Sequence, residues 1–381
     1  MPNFYEFFAG GGMARAGLGE GWNCLFANDF DHKKGQAYKA NWGDTELKVE
    51  DVSELTTAHL PGLADLVWAS FPCQDLSLAG GGAGLQGNRS GTFKPFWKLM
   101  QSLIDEERAP KLIVLENVCG AITSHNGKDF ATICNEVERA GYEVGAMVVN
   151  ASLFVPQSRP RLFIIGVRRG LEILEGLISL VPYAPWHTQT LRRAFSKLPT
   201  QTKRSWIWWN LPKPKERITS FQDLLEERLT HPAWFSSSET QRLLDMMSPT
   251  NRDKVLRAKA EGRKMVGCIY KRTRPTESGD KIQRAEVRFD DLSGCLRTPS
   301  GGSSRQVVII VEGKSVKARL ISSRETARLM GLDESYILPN NYNEAYHLTG
   351  DGVVVPVVRH LAEHIFEPLL SVAGQQAMAA A

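Results

Sequence analysis

Short apolar runs recur through the first half of the chain, and most of them end on a residue with chemistry to offer. This pattern constrains the fold more than any other feature. Asn3 to Ala9, Cys24 to Asn28, Asp65 to Ser70, Lys111 to Glu116, Glu143 to Val149 and Leu162 to Val167 each have the length and character of a buried strand. The stretches between them, Phe130 to Ala140 for one, suit helices. Such alternation predicts an α/β domain built on a doubly wound, mostly parallel sheet. Ligands of these sheets bind beyond the carboxyl ends of the strands. The sequence places Phe8, Asp29, Ser70 and Glu116 there.

The pattern stops near Gly170. Beyond it proline, tryptophan and charge become frequent, as in Ser205-Trp206-Ile207-Trp208-Trp209 and Pro212-Lys213-Pro214-Lys215. From Arg252 to Arg305, lysine and arginine outnumber aspartate and glutamate. Residues 171–321 are therefore read as a second, smaller and irregular domain with a basic face. A helical pattern returns at Ser322-Ser323-Arg324-Glu325, which resembles a helix start. Val353 to Leu370 suits another helix, with Pro356 tolerated in its first turn. Residues 374–381 are small and polar enough for a disordered tail. The formal charge of +4 permits a nucleic-acid partner without demanding one. No apolar run approaches the roughly 20 residues of a membrane span. The start of the chain lacks the pattern of a signal peptide. The 6 cysteines are scattered, as free thiols of a cytosolic protein would be.

Four places carry chemistry. The first is Phe8-Ala9-Gly10-Gly11-Gly12, a glycine turn after a strand that lets backbone approach a ligand. By itself it is as easily structural. Asp29 adds a carboxylate able to accept both ribose hydroxyls, Phe30 a face for adenine, and Asp51 an acceptor for an adenine amino group. No lysine stands in P-loop spacing, so an adenosine without a triphosphate suits better. The second place is Ser70-Phe71-Pro72-Cys73-Gln74. A lone cysteine is usually a buried small hydrophobe, but Cys73 follows a strand end in a turn fixed by Pro72. A thiol with an ordinary pKa of about 8.5 is already strongly nucleophilic in its thiolate fraction. The glycine-rich stretch Ala79 to Gly84, closed by Arg89-Ser90-Gly91, suits a lid. The third is Glu116-Asn117-Val118, where an apolar wall could keep a carboxyl protonated. The fourth is Gln157-Ser158-Arg159-Pro160-Arg161, whose arginines alternate and so are expected to share one face.

Taken in order, these motifs resemble those of the cytosine-5 DNA methyltransferase family. Pro72-Cys73-Gln74 is similar to its nucleophile motif, Glu116-Asn117-Val118 to its acid motif, and Gln157, Arg159 and Arg161 to a glutamine-x-arginine-x-arginine motif. Arg319 with Arg324-Glu325 to Gly331, and Gly350-Asp351-Gly352-Val353 to Pro356, resemble the last two motifs. The resemblance spans nearly the whole chain apart from Leu171 to about Arg284. The last motif departs from the usual Gly-Asn-Ser or Gly-Asn-Ala, since Asp351 and Gly352 stand there.

The resemblance implies a class I methyltransferase fold and the following roles. Cys73 would be the covalent nucleophile, with Glu116, Arg159 and Arg161 completing the catalytic set. Phe8, Gly10, Gly12, Asp29, Phe30, Asp51, Pro72, Asp351 and Val353 would hold S-adenosylmethionine, released as S-adenosylhomocysteine. Gln74, Ser77 and Arg89 would contact DNA from the catalytic domain, 1–170. Lys271, Arg272, Arg274, Arg284 and Arg305 would do so from the target-recognition domain, 171–321, with 322–373 returning to the catalytic domain. It further implies a cytoplasmic, nucleoid-associated monomer acting on double-stranded DNA, without a metal. It leaves room for a cognate restriction endonuclease making no stable contact. Three rivals stand beside it. A tRNA methyltransferase would be expected to have a much shorter variable region. A non-catalytic DNA-binding subunit would not need Cys73, Glu116 and Arg161. A nicotinamide-dependent dehydrogenase leaves Pro72-Cys73-Gln74 without a role.

Overall fold

The computed structural model describes residues 1–72, 92–227, 229, 231–275, 279–297 and 305–380, with backbone alone for 374–380. Cys73, Gln74, Ser77 and Arg89 lie outside the described residues. The chain divides into two compact units. The first comprises Met1–Asn150, Pro160–Pro214 and Val353–Ala381; the second comprises Ala151–Arg159 and Lys215–Gly352.

The first unit holds strands β1 (Asn3–Phe7), β2 (Asn23–Asp29), β3 (Leu47–Val49), β4 (Leu66–Ala69), β5 (Leu112–Val118), β6 (Tyr142–Asn150), β7 (Pro160–Arg168) and β8 (Trp206–Ile207). They form one sheet in the order β3-β2-β1-β4-β5-β7-β6-β8. Every described pairing is parallel except the two that β7 makes with β5 and β6. The apolar runs are thus strands of a mostly parallel α/β sheet. Strands β4 and β5 are apolar because both faces are covered. Among the helices α1 (Met13–Leu18), α2 (His32–Trp42), α3 (Phe93–Asp105), α4 (Lys128–Arg139), α5 (Gln189–Ser196) and α6 (Thr200–Arg204), α3 shows the principle most clearly. Its Phe93, Phe96, Trp97, Met100 and Leu103 recur at helical spacing and are all buried. Such side chains contribute roughly 1.5–3 kcal/mol each on burial. Phe96 packs on Phe7 and Phe8, at ring-centroid distances of 5.1 and 6.2 Å, and so supports the turn after β1.

The second unit contains helices α7 (Ser237–Asp245), α8 (Pro249–Ala260), α9 (Ser323–Leu329) and α10 (Tyr342–Asp351). Its antiparallel sheet comprises β9 (Met265–Pro275), β10 (Lys281–Arg288), β11 (Val307–Glu312) and β12 (Ser315–Leu320), in the order β10-β9-β11-β12. Leu243, Val255, Ile269, Val287, Ile309 and Val311 belong to its core. Helix α9 starts at Ser322 with a reciprocal capping box to Glu325. The Glu325 carboxylate also receives both ends of the Arg319 guanidinium, at 2.6 and 2.8 Å, and this pair is fully buried.

The first unit closes with helices α11 (Val355–Leu361) and α12 (Glu367–Ala380), joined by a π-helical turn at Ala362–Phe366. Helix α11 lies against α1 at Gly17, where an added Cβ would stand 2.4 Å from Val358 Cβ and 2.7 Å from the Val355 carbonyl oxygen. Only a glycine lets the two backbones approach so closely.

Compared with the boundaries read from sequence, residues 171–214 group with the first unit. Trp206–Ile207 extends its sheet beside β6, and Trp186, Trp209 and Leu211 are buried. Residues 322–352 group with the second unit. The backbone of α12 continues to Ala380, across the expected disordered tail from Gly374, where alanine and glutamine favour helix. No described helix is long and apolar enough to cross a membrane.

Candidate active site

Strand register sets the site. Phe7 pairs with Asn28 on one side and Ala69 on the other, and Ala69 pairs with Leu115. The carboxyl-terminal portions of β2, β1, β4 and β5 are therefore level, and Asp29, Phe8, Ser70 and Glu116, each one position past these paired residues, form a row. At a strand spacing of about 4.8 Å, three spacings make this row roughly 14 Å long.

At the β2 end, Asp29 is buried, with Oδ2 accepting the Gly10 N–H at 2.8 Å and Oδ1 the Asp31 N–H at 2.9 Å. Burial raises its pKa, opposed by Lys34 and by these two N–H donors. Each carboxylate oxygen keeps acceptor capacity for a hydroxyl. Phe30 beside it is 63% exposed, unusual for an aromatic of this size. Among the described residues nothing lies within 4 Å of where a side chain on Gly10 would begin, so they leave the backbone there uncovered. Gly12 has φ +75°, and an added Cβ would stand 2.3 Å from Trp42 Nε1, which donates to the Gly11 carbonyl at 3.0 Å. The turn therefore requires glycine at that position. Phe8 itself holds φ +56°, costly for a non-glycine residue and typical of ligand-facing turns. Asp51 caps the turn Val52–Glu54 through Oδ1, which accepts from Ser53 N and Oγ.

At the β4 and β5 ends, Ser70 Oγ accepts the Trp68 indole N–H at 2.9 Å, which gives this serine a local purpose. Asn117 donates from Nδ2 to the Phe71 carbonyl at 3.3 Å, while its Oδ1 accepts the Val118 N–H. It thereby ties the end of β5 to the two residues that precede Cys73. Glu116 faces Phe163 across the antiparallel pair, and Arg161 faces Val118. Glu116 and Arg161 are thus diagonal neighbours on one face. Arg161 Nε lies 3.3 Å from Glu116 Oε1, with the two side chains 15% and 8% exposed.

Arg159 does not join this pair in its bonding. Its Nη2 donates to the carbonyls of Gly350 (2.8 Å) and Gly352 (2.7 Å), and its Nη1 to the Leu296 carbonyl (3.0 Å) and Cys295 Sγ (3.3 Å). Gln157 likewise bonds the Leu329 carbonyl and the Leu296 N–H. Both side chains serve as clamps inside the second unit. The expectation that Arg159 and Arg161 share one face fails because only Arg161 lies in a strand, and Pro160 begins that strand between them. Asp351 is exposed at the end of α10, and Val353 is buried. Gly352 has φ −71°, which any residue adopts.

Lys271, Arg272 and Arg274 lie on β9 and Arg284 on β10. Alternation sets Lys271 on the face opposite to Arg272, Arg274 and Arg284. Arg305 bonds Asn343 and stacks over Tyr342 at 5.6 Å. Of the described cysteines, Cys24, Cys134 and Cys268 are buried. Burial pushes the Cys24 and Cys268 thiols up to about 12 and raises that of Cys134, which leaves them poor nucleophiles.

Glu6 carried no expectation, although a lone carboxyl in the apolar run Phe4 to Phe8 is a visible signal. It is buried, and its Oε2 has no hydrogen-bond partner among the described residues. Desolvation raises its pKa to about 8, opposed chiefly by the Arg15 N–H.

Residues 2–367 match the family model for C-5 cytosine-specific DNA methylases. The chain is 27% identical to the type II methyltransferase M.HpaII of Haemophilus parainfluenzae, covering 96% of this chain and 89% of that one. It is 24% identical to M.HhaI of Haemophilus parahaemolyticus, covering 95% and 93%. Among solved structures, a methyltransferase from Entamoeba histolytica superposes with a TM-score of 0.61 at 16% identity, covering 97% of this chain and 99% of that one. The Dnmt2 methyltransferase of S. pombe does so at 0.56 and 17%, with the same coverage.

Proposed function

The chain belongs to the C-5 cytosine-specific DNA methylase family, and from that membership we propose how its own residues perform the reaction. The protein is a DNA (cytosine-5) methyltransferase of the class I fold. The family draws its methyl group from S-adenosylmethionine. In this chain Asp29 would accept the ribose hydroxyls and Phe30 would stack on the adenine. Gly10 and Gly12 would let backbone lie against the ligand, and Asp51 would take the adenine amine. Phe8, Pro72, Val353 and Asp351 complete the proposed set. The anchored Asp29 carboxylate, the exposed Phe30 ring and the uncovered backbone at Gly10 suit an adenosine.

Carbon 5 of cytosine is too electron-poor to attack an electrophile unaided. The Cys73 thiolate adds to carbon 6, and the ring electrons shift toward nitrogen 3. Glu116 delivers a proton to nitrogen 3 and hydrogen-bonds the exocyclic amine. Arg161 donates to oxygen 2 and stabilises the same developing charge. S-adenosylmethionine, when bound, supplies the activated methyl that carbon 5 then accepts. The carbon 5 proton is lost to solvent, Glu116 takes back the nitrogen 3 proton, and Cys73 leaves as thiolate. The observation that carries this assignment is the Glu116–Arg161 pair, nearly buried at adjoining strand ends. Reaching a base inside a duplex requires flipping it out, at a cost of a few kcal/mol. We assign that step to Gln74, Ser77 and Arg89, and the reading of neighbouring bases to the basic second unit. A monomer acting on double-stranded DNA completes the proposal, which leaves room for a cognate restriction endonuclease making no stable contact.

The test is a duplex carrying 5-fluorocytosine at the methylation site, incubated with S-adenosylmethionine and resolved on a denaturing gel. Wild type should form a stable adduct and Cys73→Ala none. Equal adducts in both overturn the covalent assignment. Arg161→Ala should lose turnover far more than DNA affinity.

A further inference from the structure

Strands β9 and β10 form a hairpin whose two faces differ sharply. They pair from Cys268–Arg288 out to Pro275–Lys281. Ile269, Ala285 and Val287 point into the core of the second unit. Alternation places Tyr270, Arg272 and Arg274 of β9 on the opposite face, with Ile282, Arg284 and Glu286 of β10. In register, Tyr270 faces Glu286, Arg272 faces Arg284, and Arg274 faces Ile282.

Glu286 organises this face. It accepts from Arg274 Nε at 2.8 Å and Nη2 at 2.5 Å, and stands 3.8 Å from Arg272 Nε. The Arg272 guanidinium lies over the Tyr270 ring at 4.7 Å. Burial opposes the charge on Glu286. Hydrogen bonds from Arg274 and Tyr270 outweigh it, with the charges of Arg272 and Arg274, and hold the carboxyl below its ordinary value. Arg284 forms no ion pair among the described residues, although it faces Arg272 directly. Two guanidiniums thus meet one carboxylate, and the third, Arg284, opposes Arg272 as a like charge, which is unfavourable in isolation. Arg272 and Arg274 remain 45% and 48% exposed.

A two-stranded ribbon enters the major groove, and an arginine fork pairs with the O6 and N7 acceptors of guanine. A surface meant for phosphates would hold cations alone. A carboxylate at its centre repels phosphate, yet it is compatible with base edges, which present donors as well as acceptors. We infer that the outer face of this hairpin reads base edges of the target duplex. Arg272, Arg274 and Arg284 are its guanine-directed forks, and Glu286 is a positioning residue that orients two of them and disfavours backbone contact. This rests on the DNA-methylating reading above and deepens it by naming the specificity surface.

The experiment methylates a duplex library with randomised bases around cytosine, reads it by bisulfite sequencing, and measures duplex affinity against salt concentration. Arg284→Ala should relax preference at one guanine position by roughly 5- to 150-fold. Glu286→Gln should bind non-cognate duplex more tightly, steepen the log affinity–log salt slope by about 1 to 2, and relax selectivity. Thr273→Ala, on the core-side face, should keep the wild-type preference. The inference is overturned if Arg284→Ala weakens all sequences equally with a shallower salt slope, since that marks a phosphate contact. An unchanged slope and selectivity in Glu286→Gln overturn it as well. If wild type methylates no cytosine in the library, the functional reading fails instead, independently of the hairpin.

Discussion

Replacing Arg159 by alanine should destabilise the second unit rather than disarm the active site. The guanidinium donates to three backbone carbonyls, those of Leu296, Gly350 and Gly352, within 3.0 Å, while the residue is only 2% exposed. Hydrogen bonds to a charged group contribute about 1.5–3 kcal/mol each. The three share one shell and are not additive. Leaving buried carbonyls without a donor costs about 1–3 kcal/mol each, so a total on the order of 3–5 kcal/mol is expected. For a folding unit of about 150 residues, such as the second unit, 1 kcal/mol shifts the melting point by roughly 2–4 °C, so a fall on the order of 10 °C in its transition is expected. Differential scanning calorimetry and urea titration measure it directly. Arg159→Lys should recover little, because an ammonium is a point donor and cannot bridge three carbonyls as a planar fork does. If Arg159→Ala melts with wild type yet turns over no substrate, the clamp is wrong and Arg159 acts on the base.

Two further outcomes follow from the first unit. Glu6 has a folded-state pKa of about 8, raised above its ordinary value of 4.5. Its contribution is therefore intact below about pH 4.5 and is lost as pH rises through about 8. The difference in unfolding free energy between Glu6→Gln and wild type should grow in favour of the amide between about pH 5 and 8; parallel pH curves would refute this. Phe30→Ala should weaken S-adenosylhomocysteine binding by calorimetry roughly 5- to 150-fold, the range for losing an aromatic under a base. The melting point of the free protein should stay put, since Phe30 is 63% exposed; unchanged affinity would remove Phe30 from the cofactor site.

Six strands of the first unit, β1, β2, β4, β5, β6 and β7, were legible because each is a buried apolar run of the right length, and β1, β2, β4 and β5 carry Phe8, Asp29, Ser70 and Glu116 toward their carboxyl ends; β3, three residues long and only half-buried, gave no such signal. Strand direction was not legible. The reversal of β7, which brings Arg161 beside Glu116, leaves no mark on periodicity. Arg159 and Arg161 look equivalent by alternation, yet Pro160 begins β7 between them and their bonding partners differ entirely. The two-residue strand Trp206–Ile207 is too short to show a period, so its tryptophans read as part of the irregular region. Glu286 was invisible because its meaning comes from cross-strand register, and a lone acid among arginines gives no sign of which of them it holds.

The close seat of Val358 on Gly17 also bears on how the protein is made. Trp22 Nε1 bonds Glu367 at 2.9 Å, and Arg359 bonds the Leu18 carbonyl at 2.5 Å, so helix α1 is covered by chain synthesised more than 330 residues later. Contacts this distant in sequence are slow to form. During translation α1 must wait with an apolar flank open to solvent and to chaperones. A circular permutant that splices α11 and α12 ahead of β1 should shorten that wait and raise the yield of refolding without altering a single residue in the site.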